Sequence, residues 1–174
     1  LSDVPFKRIT AVLITTLDRI FRLAFALGAI ALTAIVACYA CEVVMRYFFN
    51  APTRWASDTV SFLLLASVFL VAPWLTRENG HVAVTLLPDL LPEKWARLAI
   101  RLGFAAGAIV CIGGGIIAIA EAASLFRRGT MTYSAIPFPK WILTSVIAFG
   151  LVGCGLAFIG LTVSPPSPQQ EPRT

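Results

Sequence analysis

The chain has 174 residues, 58% of them hydrophobic and 13% charged, with a formal net charge of +5. A soluble domain of this size could not hide so much apolar surface, so a free-standing water-soluble enzyme or binding module is excluded. The positive charge does not point to nucleic acid either, because the basic residues flank apolar runs instead of forming a solvated patch.

Crossing a hydrocarbon core of roughly 30 Å takes about 20 helical residues. Four stretches qualify, at about 22–45, 59–76, 98–126 and 141–163. They predict an all-α integral membrane protein with one four-span domain over 1–163. Of the 14 Lys and Arg residues, Lys7, Arg8, Arg19, Arg22, Arg77, Lys94, Arg97, Arg101 and Arg173 fall on one side of these spans. Arg46, Arg54, Arg127, Arg128 and Lys140 fall on the other. Positive loops resist translocation, so both termini are expected in the cytoplasm. No cleavable signal peptide is expected, and the opening Leu1 leaves room for residues before it.

Residues 5–23 predict an amphipathic interfacial helix ahead of the first span. At about 100° per residue, Phe6, Ile9, Leu13, Leu17, Ile20 and Ala24 share one face, with Lys7, Arg8, Asp18, Arg19 and Arg22 opposite. Such a helix can lie on a leaflet with Lys7, Arg19 and Arg22 against lipid headgroups. Near the far end of the first span, Glu42 and Arg46 are four residues apart, and each offsets the other's cost of leaving water. We read that pair as structural.

The stretch Arg46 to Asp58, RYFFNAPTRWASD, then crowds charges, aromatic rings, an Asn, a Pro and a Trp between two apolar runs. In the second span Pro73 lacks an N–H and is expected to bend the helix. Arg77 to His81 form a turn where Gly80 can end it. His81 is the single histidine, too few for a metal site, and hydrogen bonding to a loop or a partner is the better reading.

VAVTLLPDLLP is apolar but too short and proline-broken to cross, and predicts an interfacial or re-entrant segment between spans 2 and 3. Pro92 suits the first turn of the next helix and Glu93 its positive end. Lys94, Arg97 and Arg101 make a basic stripe suited to headgroups, with Trp95 at the same depth. Gly103 and Gly107 form a GxxxG, followed by Gly113 to Gly115, and the fourth span holds Gly150, Gly153, Gly155 and Gly160. Small residues permit close helix packing in lipid, and nothing more is read from them. The second outer loop, RRGTMTYSAIPFPKW, is again rich in aromatic and proline residues, and the tail 164–174 is expected to be disordered.

Chemistry is mostly missing. Cys38 and Cys41 form a Cys-x-x-Cys and raise a membrane thiol oxidase as an alternative, but the second loop has no Cys to complete a relay. A di-haem cytochrome needs paired axial ligands that one histidine cannot supply. A self-contained small transporter would show carboxylates through the midplane or repeated broken helices, and neither is seen. No cofactor or metal site is expected, and the chain reads as a subunit.

Three blocks carry a family likeness: RYFFNAPTRWASD, then TRENGHVAVTLLPDLLP, then IPFPKW. In order and spacing, over about Leu17 to Leu161, they resemble the small membrane subunit of tripartite ATP-independent periplasmic (TRAP) transporters, the DctQ-like family. The match rests on Arg46, Tyr47, Asn50, Pro52 and Trp55, on Arg77, His81, Val82 and Pro92, and on Pro137 and Trp141. Asp58 departs from it, since the family usually has Glu three residues after the Trp. The resemblance implies a non-catalytic scaffold in the bacterial inner membrane beside a large multi-span subunit, which would carry an organic acid with sodium. It also implies a periplasmic substrate-binding protein as partner. Asn50, Pro52, Arg54, Trp55, Tyr133 and Pro137 are then candidates for docking that protein. Glu42, Arg46, Asp58, Arg77 and His81 are candidates for structure or the subunit interface. The tryptophans Trp55, Trp74, Trp95 and Trp141 serve equally well as plain interface anchors. The acid transported and the stoichiometry are not written in this chain.

Overall fold

A computed structural model describes residues 4–51, 53, 55–79, 93–134 and 137–163. Four helices account for nearly all of them: α1 (Val4–Phe48), α2 (Ala56–Asn79), α3 (Glu93–Arg128) and α4 (Lys140–Val163). Each contains a segment long and apolar enough to cross a membrane. Among the described residues the only β-type pairing is one isolated bridge, Met131 to Pro139. The segment expected to be interfacial, 82–92, the tail 164–174 and His81 lie outside the described residues.

The expected boundary between a surface helix and the first span is not there. α1 runs unbroken for 45 residues, about 68 Å at 1.5 Å per residue. No glycine or proline stands between Pro5 and Gly28 to interrupt it. The buried positions Phe21, Ala24 and Ala31 keep helical spacing along one side, and Gly28 lies on the same stripe, against α2.

α1 packs on α2, α2 on α4, and α4 on α3. The helices therefore stand in the spatial order α1, α2, α4, α3, and the outer two do not close the row into a ring. α2 and α4 are neighbours running the same way, which puts the loop after α1 and the loop after α3 at one end. A shallow groove of about 400 Å³ opens on one side of the row, floored by α4 at Phe149 and Val152 and walled by Phe21 of α1 and Ile119 of α3.

Glycines decide how closely the helices approach. α3 and α4 run antiparallel and alternate: Gly107 receives the Phe158 ring, Gly155 receives Ile112 and Gly115 receives Val152. The GxxxG reading is half right, because Gly103 faces open space and only Gly107 makes the contact.

The α2 and α4 contact is built around Pro73, whose side chain is the largest fully buried one among the described residues. Its missing N–H leaves the Phe69 carbonyl without its helical donor. α4 answers with two glycines. A Cβ on Gly150 would sit 2.5 Å from Phe69 O, and one on Gly153 would sit 2.6 Å from Pro73 Cγ and 3.3 Å from Phe21 Cε1. Only a backbone with hydrogens in those places can lie against the freed carbonyl and the proline ring, where Cα–H groups offer it weak donors. Alongside, the Thr76 hydroxyl donates to Ala72 O at 2.8 Å and reaches Cys154 Sγ at 3.5 Å.

Enlarging Gly150 or Gly153 to Val should destabilise the protein by about 1–3 kcal/mol through overpacking, read as a lower thermal unfolding midpoint in detergent. Gly160→Ala, where a Cβ meets nothing within 4 Å, should be neutral or slightly stabilising.

Candidate functional site

The two-loop end is where the sequence-predicted residues gather. α1 terminates with Asn50 in the left-handed region, φ 49°, a conformation Asn tolerates better than most residues. The turn lets Phe49 and Ala51 both donate to Met45 O, at 3.3 and 3.1 Å. The chain then crosses to Trp55, whose carbonyl accepts the Thr59 N–H at 3.0 Å and starts α2. Asp58 lies in the first turn of α2, where the helix dipole favours a carboxylate.

Glu42 holds this loop. Its side chain is 14% exposed and its Oε1 lies 3.9 Å from Arg46 Nε. Its Oε2 accepts the backbone N–H of Thr53 at 3.1 Å. The second bond matters more. Arg46 is 63% exposed and its distance is long, a geometry worth about 0–1 kcal/mol, whereas a hydrogen bond to a half-buried carboxylate contributes about 1.5–3 kcal/mol.

The second loop is tied down more heavily. α3 ends in a Schellman cap, with Gly129 at φ 60°, its N–H on Phe126 O and the Thr130 N–H on Leu125 O. Thr132 N–H donates to Phe138 O at 2.8 Å and Lys140 N–H to Thr130 O at 3.2 Å. The Thr132 hydroxyl accepts the Phe138 N–H at 2.8 Å. Phe138 stacks on Phe62 of α2, centroids 5.8 Å apart, and Trp141 meets Phe126 edge-on at 5.4 Å. The result is a stapled hairpin that leaves Tyr133 fully exposed, with Lys140 Nζ 5.4 Å from its ring centroid.

This end therefore presents Tyr47, Phe48, Phe49, Trp55, Met131 and Tyr133 to the outside. Pro137 is exposed beside them, while Pro52 and Arg54 lie outside the described residues.

The opposite end carries a second polar cluster. Arg77, at the end of α2, forms an ion pair with Asp18 of α1, and the Arg22 guanidinium lies 5.8 Å over the Trp74 ring. With Glu78 these residues line a recess of about 400 Å³. Asp18 and Arg22, set by the sequence pattern on the polar side of α1, both contact α2, and Arg22 remains exposed. Arg19 and Arg101 are exposed. Lys7 lies on α1, and Lys94 and Arg97 on α3, with side chains outside the described set. Two partners escaped the sequence reading, Thr53 for Glu42 and Asp18 for Arg77. Only the second left a signal, an acid and a base near the same boundary of adjacent spans.

The four cysteines are unbonded, Cys38 and Cys41 included. Among the described residues no three His, Cys, Asp or Glu side chains converge as metal ligands.

A family model for tripartite ATP-independent periplasmic transporters, DctQ component, matches residues 35–165. The chain belongs to this family. The matched span takes in both loops and the Glu42 clamp. The sialic acid TRAP transporter small permease protein SiaQ of Vibrio cholerae is 27% identical over 86 residues. The aligned stretch covers 49% of this chain and 49% of that relative, so about half the length of the curated relative is spanned. No solved structure matches significantly. Membership makes this DctQ protein a transport component and not an enzyme, and its four apolar helices make it a multi-pass membrane protein.

Glu42→Ala should speed amide hydrogen exchange in a peptide covering 49–55, by about tenfold or more for the bond lost, measured by mass spectrometry on the detergent-solubilised protein. Arg46→Ala should leave the same peptide within about twofold of wild type.

Proposed function

We propose that this DctQ protein is the small scaffold subunit of a sodium-coupled, binding-protein-dependent secondary transporter for organic acids in a bacterial inner membrane. It braces a large multi-span subunit, which binds the sodium and the substrate. Its two-loop end faces the periplasm and helps dock the substrate-binding protein, and both termini are cytoplasmic. The distribution of Lys and Arg supports that orientation, since the larger share flanks the end opposite the loops.

One observation carries the docking half: both loops sit at the same end and are held by fixed contacts, yet they leave large aromatic rings in the open. Rigid exposed Tyr and Trp give contact area at little entropic cost, which is what a docking surface needs. The scaffold half rests on the family and on the shape. A row of helices offers broad faces to a partner, and only 17–33% of the most apolar window of each span is buried within the chain.

With the complex intact, replacing Trp55 and Tyr133 by Ala together should weaken binding-protein docking about tenfold. The measurements are titration of the binding protein against the reconstituted complex and transport at sub-saturating binding protein. Unchanged docking would remove the docking role and leave the scaffold role standing. Replacing Cys38 and Cys41 by Ala should leave transport within about twofold of wild type, because free thiols on an apolar helix behave as small apolar groups; a large loss would favour thiol chemistry.

A further inference from the structure

Glu121 is a carboxylate that none of the contacts described above employs. It lies in α3, within the segment apolar enough to span a membrane. The Phe126 and Trp141 rings meet at the α3 and α4 ends, and such aromatic pairs mark the membrane boundary. Glu121 precedes Phe126 by five positions, about 7.5 Å deeper along the axis. Helical side chains lean toward their own N-terminus. For α3 that direction leads away from this boundary and into the bilayer, so the carboxylate cannot easily reach back to water.

Glu121 is exposed on the surface of this chain. No ion pair or hydrogen bond among the described residues reaches it, and Arg127 and Arg128 lie beyond the aromatic pair. The same face carries Gly103, Val110, Gly113 and Ile117 at helical spacing. Val110 and Ile117 are both 72% exposed, and a Cβ on Gly103 or Gly113 would meet nothing within 4 Å. The groove walled by Ile119 lies round the other side of the helix. A face that is apolar, locally flat and able to admit a close backbone, with one carboxylate at membrane depth, is complementary to a helix bearing a cation.

We infer that this face of α3 is covered by a transmembrane helix of the large subunit that sets an Arg or Lys side chain against Glu121. The inference rests on the subunit reading above and names the face and chemistry of the contact. A second copy of this chain does not satisfy it. Two such faces brought together would oppose carboxylate to carboxylate, and the described spans hold no cation at that depth.

The test uses the tagged chain co-expressed with its large membrane subunit and solubilised in mild detergent. Glu121→Gln removes the charge at nearly constant shape, and Gly113→Leu adds bulk where the fold has room for it. Circular dichroism and yield check that both variants insert and fold. Each should lower the amount of large subunit retained about three- to tenfold. A photo-crosslinking residue at Ile117 should form its adduct with a helix of the large subunit that contains Arg or Lys. Wild-type retention by either variant overturns the inference, as does an adduct only with lipid or with another copy of this chain. If the wild-type chain retains no large membrane subunit at all, the subunit reading itself fails and takes this inference with it.

Discussion

The contact between α2 and α4 is the constraint on which the rest of the structure depends. Pro73 strips the Phe69 carbonyl of its helical donor, and a hydrocarbon layer has no water to replace it. Gly150 and Gly153 bring the α4 backbone against that carbonyl and the proline ring. Because the fit is specific to these residues, it sets which helices are central and in which direction they run. α1 attaches outside α2, with Gly28 against Ser67 and Leu70, and α3 attaches outside α4 through its own glycines. The order of the row follows from those three contacts.

A row differs from a closed bundle in what it leaves open. Most of the surface of α1 and α3 faces outward, and α1 is more than twice as long as a roughly 30 Å hydrocarbon core requires. A chain of this kind has little interior of its own in which to hold a substrate or an ion. Its resources are breadth, length and a firmly built end. At that end several hydrogen bonds act on backbone: Glu42 on Thr53, the Schellman cap on the last carbonyls of α3, and Thr132 on Phe138. The exposed aromatics are thus carried on loops held in place by several backbone hydrogen bonds.

Much of the candidate site was legible as a list of residues and little of it as an arrangement. RYFFNAPTRWASD announced a corner by its Asn, Pro and Trp, and Asn50 does occupy the left-handed position that turns the chain. Glu42 was placed on a helix face with Arg46, because spacing of four residues is visible in any sequence. Its stronger bond, to the Thr53 amide, joins positions whose separation depends on the path of the loop. Asp18 was set on a polar face opposite the apolar stripe, and that face turned out to meet Arg77 of α2. Periodicity tells which side of a helix is polar but not what stands beside it. It also suggested a break near residue 23 that the structure lacks, since a change from amphipathic to uniformly apolar pattern does not need a change of backbone direction.

The four apolar runs by themselves determined that this protein is helical and membrane-spanning, because bilayer thickness and the need to satisfy every backbone group leave few other solutions. The loops carry enough family-specific residues, in order, to place it among DctQ proteins. Only the tertiary structure decided which glycines are contacts and which are open. Gly107, Gly115, Gly150, Gly153 and Gly155 meet a neighbouring helix, whereas Gly103 and Gly113 face outward. Glycine reads the same in either setting; what differs is the helix standing against it, and that depends on register and crossing between segments far apart in the chain.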